Sequence, residues 1–197
     1  MVRSHAVLAL VGLSLAPQLR AQAPAAGAPP QLPSELERVR AALDKYQDPI
    51  AAVHDGYFST VACVEFPGAA GAGQIPYQAG GMGVHFLNPA LIGPQLDSLR
   101  PQVLIYLPDR DSLRLVAAEW FMPTEVTHTR PQLFGHPFDG PMEGHHPVMP
   151  AALHHWDLHV WLWRANPNGV FSPTNPGLRC PNRAYSFQEQ APRAVEP

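Results

Sequence analysis

The chain reads as an α+β protein in which N-terminal helices pack on a mainly antiparallel, curled sheet or small barrel. Three observations predict this. Helical spacing is confined to residues 34–57; apolar segments bounded by turn residues run from residue 83 onward; and 24 prolines with 15 glycines favour short strands and ordered loops over long helices.

Taken in order, the first segment looks like a targeting signal. Met1, Arg3 and His5 precede an apolar stretch from Ala6 to Ala16, and Ala21-Gln22-Ala23 supplies the small residues of a cleavage site. Residues 1–23 are therefore expected to be a secretory signal peptide. The apolar run is far shorter than the ~20 residues a membrane-crossing helix needs, so the mature protein is expected to lack a membrane span and to be secreted or periplasmic. Residues 24–33 are a low-complexity linker of Ala, Gly, Pro, Gln and Leu that cannot build a core. About 170 residues remain, enough for one domain. We place it at 34–188, with 189–197 as a flexible tail.

Inside the domain, Ser34 with Glu37 forms a capping-box pattern, and Leu36, Val39, Leu43 and Tyr46 recur at helical spacing. Asp48-Pro49 ends that helix and can cap a second one, with Ile50, Val53 and Tyr57 as its apolar stripe. From Gly68 to Gly83 the chain is glycine-rich and is expected to be irregular. Gly83 to Leu87 reads as a short strand stopped by Asn88-Pro89. Val103–Leu107 and Leu113–Phe121 are the clearest strands and flank Pro108 to Ser112 as a hairpin. A last strand runs from about His155 to Trp163 and stops at Asn166-Pro167-Asn168-Gly169.

Composition excludes several functions. The formal charge is −3 and Lys45 is the only lysine, so there is no basic stripe for a nucleic acid. No Gly-x-Ser-x-Gly, His-Glu-x-x-His, Ser-x-x-Lys or Cys-x-x-Cys-His motif occurs, which disfavours a serine hydrolase, a zincin and a c-type cytochrome. The two cysteines, Cys63 and Cys180, are expected to form a disulfide in an exported chain. Closing so long a loop is worth up to ~4–5 kcal/mol in the chain-entropy picture.

Chemistry gathers on the strands. Alternation puts His155, Asp157, His159, Trp161 and Trp163 on one face of the last strand, and Trp156, Leu158, Val160 and Leu162 on the other. His85 and Glu119 each sit among apolar neighbours. A buried carboxylate without a partner costs several kcal/mol, so Glu119 is expected to meet a cation, a histidine or a metal; Arg114 and Arg164 are the alternative partners. With the loop pair His145-His146, these residues predict a mononuclear site of His85, Glu119, His159 and one or both of His145 and His155. Asp157 is a further ligand or holds a ligand ring in place. Imidazole dominates the set, which suits zinc, copper, iron or manganese. Trp161 and Trp163 are candidate surfaces for a small ligand. His54, at a helix end, has a structural reading.

These segments also carry a likeness. Gly81 to Pro89 (Gly-Met-Gly-x-His-x-x-Asn-Pro) and Asp157 to Trp163 (Asp-Leu-His-Val-Trp-Leu-Trp), with Asn166 to Phe171, Asn175-Pro176 and Cys180-Pro181, resemble a family of exported bacterial proteins that carry a domain of unknown function. The likeness extends from about Gly56 to Cys180. It implies that His85, Glu119, His145, His155 and His159 occupy matching positions, whereas His146 and His54 stand where the pattern has other residues.

The sequence thus predicts an exported, soluble metal-binding protein that acts on or holds a small molecule. Two rivals stand beside it: a non-catalytic module that binds a sugar-like ligand through its strand tryptophans, and a structural envelope protein whose histidines are merely packed.

Overall fold

The computed structural model describes residues 29–146 and 148–196. The expected signal peptide, and the linker up to residue 28, lie outside the described residues.

Two short helices come first. Helix α1 (Ser34–Leu43) carries Glu35 and Glu37 in its first turn and buries Leu36, Val39 and Leu43. It runs into a 3₁₀ turn at Asp44–Gln47. Helix α2 (Pro49–His54) starts on Asp48, whose carboxylate accepts from the Ile50 amide, with proline at the first helical position, where its missing N–H is no loss.

The rest is sheet. The strands are β1 (Phe58–Phe66), β2 (Gly80–Leu87), β3 (Val103–Asp109), β4 (Ser112–Pro123), β5 (Gln132–Leu133), β6 (His136–Pro137), β7 (Asp139–Met142), β8 (His155–Val160) and β9 (Ser186–Gln188). Seven of them form one curled sheet in the order β7-β8-β4-β3-β2-β1-β9, while β5 and β6 pair separately. All neighbours in the large sheet are antiparallel except β1 and β9. The expected hairpin is β3–β4, closed at Asp109 opposite Ser112, with Arg110 taking the positive φ of 52° that a two-residue turn asks for.

Alternation divides the sheet cleanly. Val84, Phe86, Leu104, Tyr106, Ala118, Trp120, Trp156, Leu158 and Val160 face one way and join α1 in the largest hydrophobic cluster. Val103, Ile105, Ala117 and Phe121 face the other way and pack with Trp161 and Leu178. His85, Glu119, Asp157 and His159 lie on this second face, because each is one residue out of phase with the main core.

Three sequence expectations need correction. A helical layer over the sheet is not formed: α2 turns Ile50 and Val53 outward, 60% and 52% exposed. Apolar side chains of the loops, among them Leu91, Leu96, Phe134 and Phe171, cover the core instead. The glycine-rich stretch is not irregular throughout, since Gly80 to Gly83 open β2. Gly83 has φ +101° and a Cβ there would lie 2.6 Å from the Tyr106 carbonyl oxygen, so only glycine lets β3 come this close. The last long strand ends at Val160 rather than Trp163. Within residues 189–196, Glu189 and Ala191 are buried, and the amides of Glu189, Ala194 and Val195 donate to the Glu65, Gly73 and Pro141 carbonyls. Strand β1 has no counterpart among the expected elements, because register shifts against β2 break its period.

The disulfide forms as expected, joining Cys63 on β1 to Cys180, 117 positions away, and it fits a secreted or periplasmic protein. Among the described residues, no helix is long and apolar enough to cross a membrane.

Candidate metal centre

The second face of the sheet forms the floor of a cavity of about 250 Å³. Register explains how its polar groups meet. Glu119 on β4 stands directly between Val103 on β3 and His159 on β8. Leu87 continues that row on β2, and His85, two residues along, shares its face. On β8 the same alternation brings His155 and Asp157 into line with His159. Apolar groups, including Val64, Met82, Val103, Phe121 and Leu153, make up the walls, and among the described residues no Lys or Arg lines the cavity.

The ionisable groups form two adjoining triads. In the first, Glu119 Oε2 lies 3.5 Å from His85 Nε2 and 3.6 Å from His159 Nε2. In the second, Asp157 Oδ2 lies 3.7 Å from His155 Nε2 and 3.9 Å from His145 Nε2. Within each triad the three ligand atoms are mutually within 4.8 Å. These groups could hold a metal ion. The link between them is Asp157, whose other oxygen, Oδ1, is 3.9 Å from His159 Nδ1.

The distances exclude a plain hydrogen-bonded network. Separations of 3.5–3.9 Å exceed the 2.7–3.2 Å of a nitrogen–oxygen hydrogen bond. Accordingly Glu119 Oε2, His145 Nε2, His155 Nε2, Asp157 Oδ1 and both ring nitrogens of His159 are buried without a hydrogen-bond partner among the described residues. Unpartnered buried polar atoms cost about 1–3 kcal/mol each. The spacings are close to the ~3.3 Å edge of a tetrahedron whose four N or O ligands sit ~2.0 Å from a central ion.

Electrostatics follow from burial. It pushes His85 down to about 3, with the His159 and His145 rings adding to the effect. It takes His159 down to about 4 against the upward pull of Asp157. Both rings are thus neutral at pH 7, the form that ligates. Burial raises the Glu119 carboxyl well above its ordinary range, and the charge of Asp157 raises it further. Burial also works to raise Asp157, but the His155 ring beside it and the His159 ring overcome that, so it stays below its usual value.

The residues expected to build one site all line the cavity, but they are grouped differently. His85, Glu119 and His159 meet as expected; His145 and His155 belong to the second triad, so one mononuclear site does not gather all five. Glu119 has no arginine partner among the described residues: Arg114 pairs with Asp109, and Arg164 donates to the Gly177 carbonyl. His146 and His54 are exposed and outside both triads. Trp161 does not face the cavity. It is 0% exposed, packs in the second-face core, and donates to the Ser172 carbonyl at 2.6 Å. Trp163 is half-buried against the main core.

Two cavity residues carry no signal in the sequence. Glu189 is buried, with Oε2 3.7 Å from His145 Nδ1 and neither oxygen hydrogen-bonded. Thr60 contributes a buried, unpartnered hydroxyl. No local pattern marks either; Glu189 reaches the cavity only because β9 pairs with β1. Comparison with family models, curated proteins and solved structures finds no match.

Proposed function

We propose that this is an exported metalloprotein that holds a transition metal at His85, Glu119 and His159 and presents it to small molecules. The observation that carries this is the first triad: ligand atoms from β2, β4 and β8 converge, with Glu119 Oε2 3.5 and 3.6 Å from the two ring nitrogens, and Glu119 Oε2 and His159 Nε2 are buried without a hydrogen-bond partner among the described residues. A set of two imidazoles and one carboxylate suits zinc, iron or manganese, and copper is also compatible. Three protein ligands leave a coordination position open, the pattern of catalytic rather than purely structural ions. An ion there supplies Lewis-acid or redox chemistry.

The surroundings support a small substrate. His85 keeps 15% of its side chain exposed, and Phe58 at the cavity rim is exposed. With apolar walls and no Lys or Arg among the described lining residues, the cavity suits a compact, weakly charged molecule carrying one donor atom. Export belongs to the same reading, supported by the disulfide and by the leader expected at residues 1–23, as does the likeness to the exported bacterial family. A sugar-binding role for the tryptophans has no support, since Trp161 is fully enclosed. A merely packed role for the histidines leaves His145 Nε2, His155 Nε2 and both His159 nitrogens without a protein partner among the described residues.

The test is elemental analysis of untagged protein recovered from the periplasm, beside a His159→Ala variant. The expected result is bound metal in the wild type and one equivalent less in the variant. No metal in either, even after incubation with zinc, copper, iron and manganese salts, would sink the reading.

A further inference from the structure

We infer that the cavity holds a second metal ion, bound by His145, His155 and Asp157, with Glu189 as a positioning residue for His145. It rests on the metal-binding reading of the first triad, which it meets at Asp157.

The second triad has its own independent marks. His155 Nδ1 lies 3.2 Å from the Leu153 carbonyl oxygen. A carbonyl can only accept, so Nδ1 carries the hydrogen and the lone pair sits on Nε2. That nitrogen points at Asp157 Oδ2 and has no hydrogen-bond partner. A backbone carbonyl that sets the tautomer of a ring is the usual support of a metal-bound histidine. His145 is arranged in the same sense: its Nε2 faces Asp157, and its Nδ1 faces Glu189 at 3.7 Å. A carboxylate on that side, though too distant here for a hydrogen bond, favours the tautomer with its hydrogen on Nδ1 and its lone pair on Nε2.

Charge gives a second reason. Asp157 and Glu189 are both buried acids, and among the described residues no Lys or Arg lines the cavity to balance them. A divalent cation between the two imidazoles and Asp157 supplies that balance. It also ties the loop carrying His145, along with the cavity-wall residues Val148 and Met149, to β8.

Asp157 couples the two ions. Through Oδ2 it binds the second, and through Oδ1 it faces the Nδ1 of His159, whose Nε2 belongs to the first. Its substitution is therefore expected to disturb both sites, while substitutions in His145 or His85 disturb one each.

The experiment is equilibrium dialysis of the metal-stripped full chain against cobalt(II), with bound ions counted and visible absorption recorded, and folding of every variant checked by near-ultraviolet circular dichroism. Wild type is expected to bind two ions, His145→Ala one, and His85→Ala one, each variant retaining a different cobalt spectrum. Glu189→Gln is expected to keep both ions but to weaken the one lost in His145→Ala by about 10- to 100-fold, leaving the other unchanged. Asp157→Asn is expected to weaken both. A single ion in wild type that His85→Ala abolishes and His145→Ala spares would overturn the second site and leave the first standing. A single ion with the opposite response would keep the second site and remove the first. No bound ion would remove both.

Discussion

Glu119→Gln probes the balance between burial and ligation at the floor of the cavity. In the unfolded chain the Glu119 carboxyl ionises at its ordinary 4.5, while in the fold burial and Asp157 hold it well above that. Above 4.5 the metal-free fold therefore holds that proton more tightly than the unfolded chain, which releases it. Each pH unit between 4.5 and 7 costs about 1.4 kcal/mol, so the penalty reaches at most about 3 kcal/mol. Glutamine has nearly the same shape, stays neutral at every pH, and can donate from its amide to the free Nε2 atoms of His85 and His159. Without metal, the variant is therefore expected to be the more stable protein at pH 7. At about 2–4 °C per kcal/mol for a domain of this size, the melting temperature should rise by up to about 6–12 °C, and the gap should close as pH falls to 4.5. Metal reverses the order, since an amide is a far poorer ligand than a carboxylate. Urea denaturation with a chelator and then with zinc, at pH 7 and at pH 4.5, measures all four cases. Coincident curves for the two metal-free proteins at pH 7 would refute the burial argument; an equal gain from zinc in both would refute the ligand assignment.

His85 and His159 titrate at about 3 and about 4 in the fold against 6.5 unfolded, so between pH 6.5 and 4 the unfolded chain binds more protons and stability must fall as pH falls. In metal-free Glu119→Gln, where Asp139, raised to about 7 by burial and by Asp157, is the remaining opposing carboxyl, denaturation midpoints should still decline across that window, by two rings against one carboxyl; midpoints that rise as pH falls would mean these rings are not buried neutral. Replacing Cys63 and Cys180 by serine opens a loop of 117 positions and should cost ~4–5 kcal/mol in chemical denaturation, and an unchanged midpoint would argue against the bridge.

Most of the inner polar set was legible in the chain because strand alternation is local. Once residues 155–160 form a strand, His155, Asp157 and His159 must share a face whatever lies beside them, and Glu119 between Ala118 and Trp120 must be buried if its strand is central. The hairpin at Arg110-Asp111, the helix start at Asp48-Pro49 and the Cys63–Cys180 pair were readable for the same reason: each rests on neighbouring residues or on there being a single way to pair. Helix α2 misled because Ile50 and Val53 have helical spacing, while spacing alone cannot say whether a neighbour exists to bury them.

Tertiary structure decided the rest. The division into two triads depends on β4 lying between β3 and β8 and on the register that sets Glu119 opposite His159, a pairing of residues 40 positions apart that no local pattern encodes. Trp161 was removed from the cavity by the chain's turn after β8, which gives its amide to the Val170 carbonyl and its ring to the core. Glu189 was brought in by the parallel pairing of β9 with β1, beside the disulfide. Alternation thus determined which side chains face inward together. Strand order and register, which are set by packing across the whole sheet, determined which of them came within reach of the same ion.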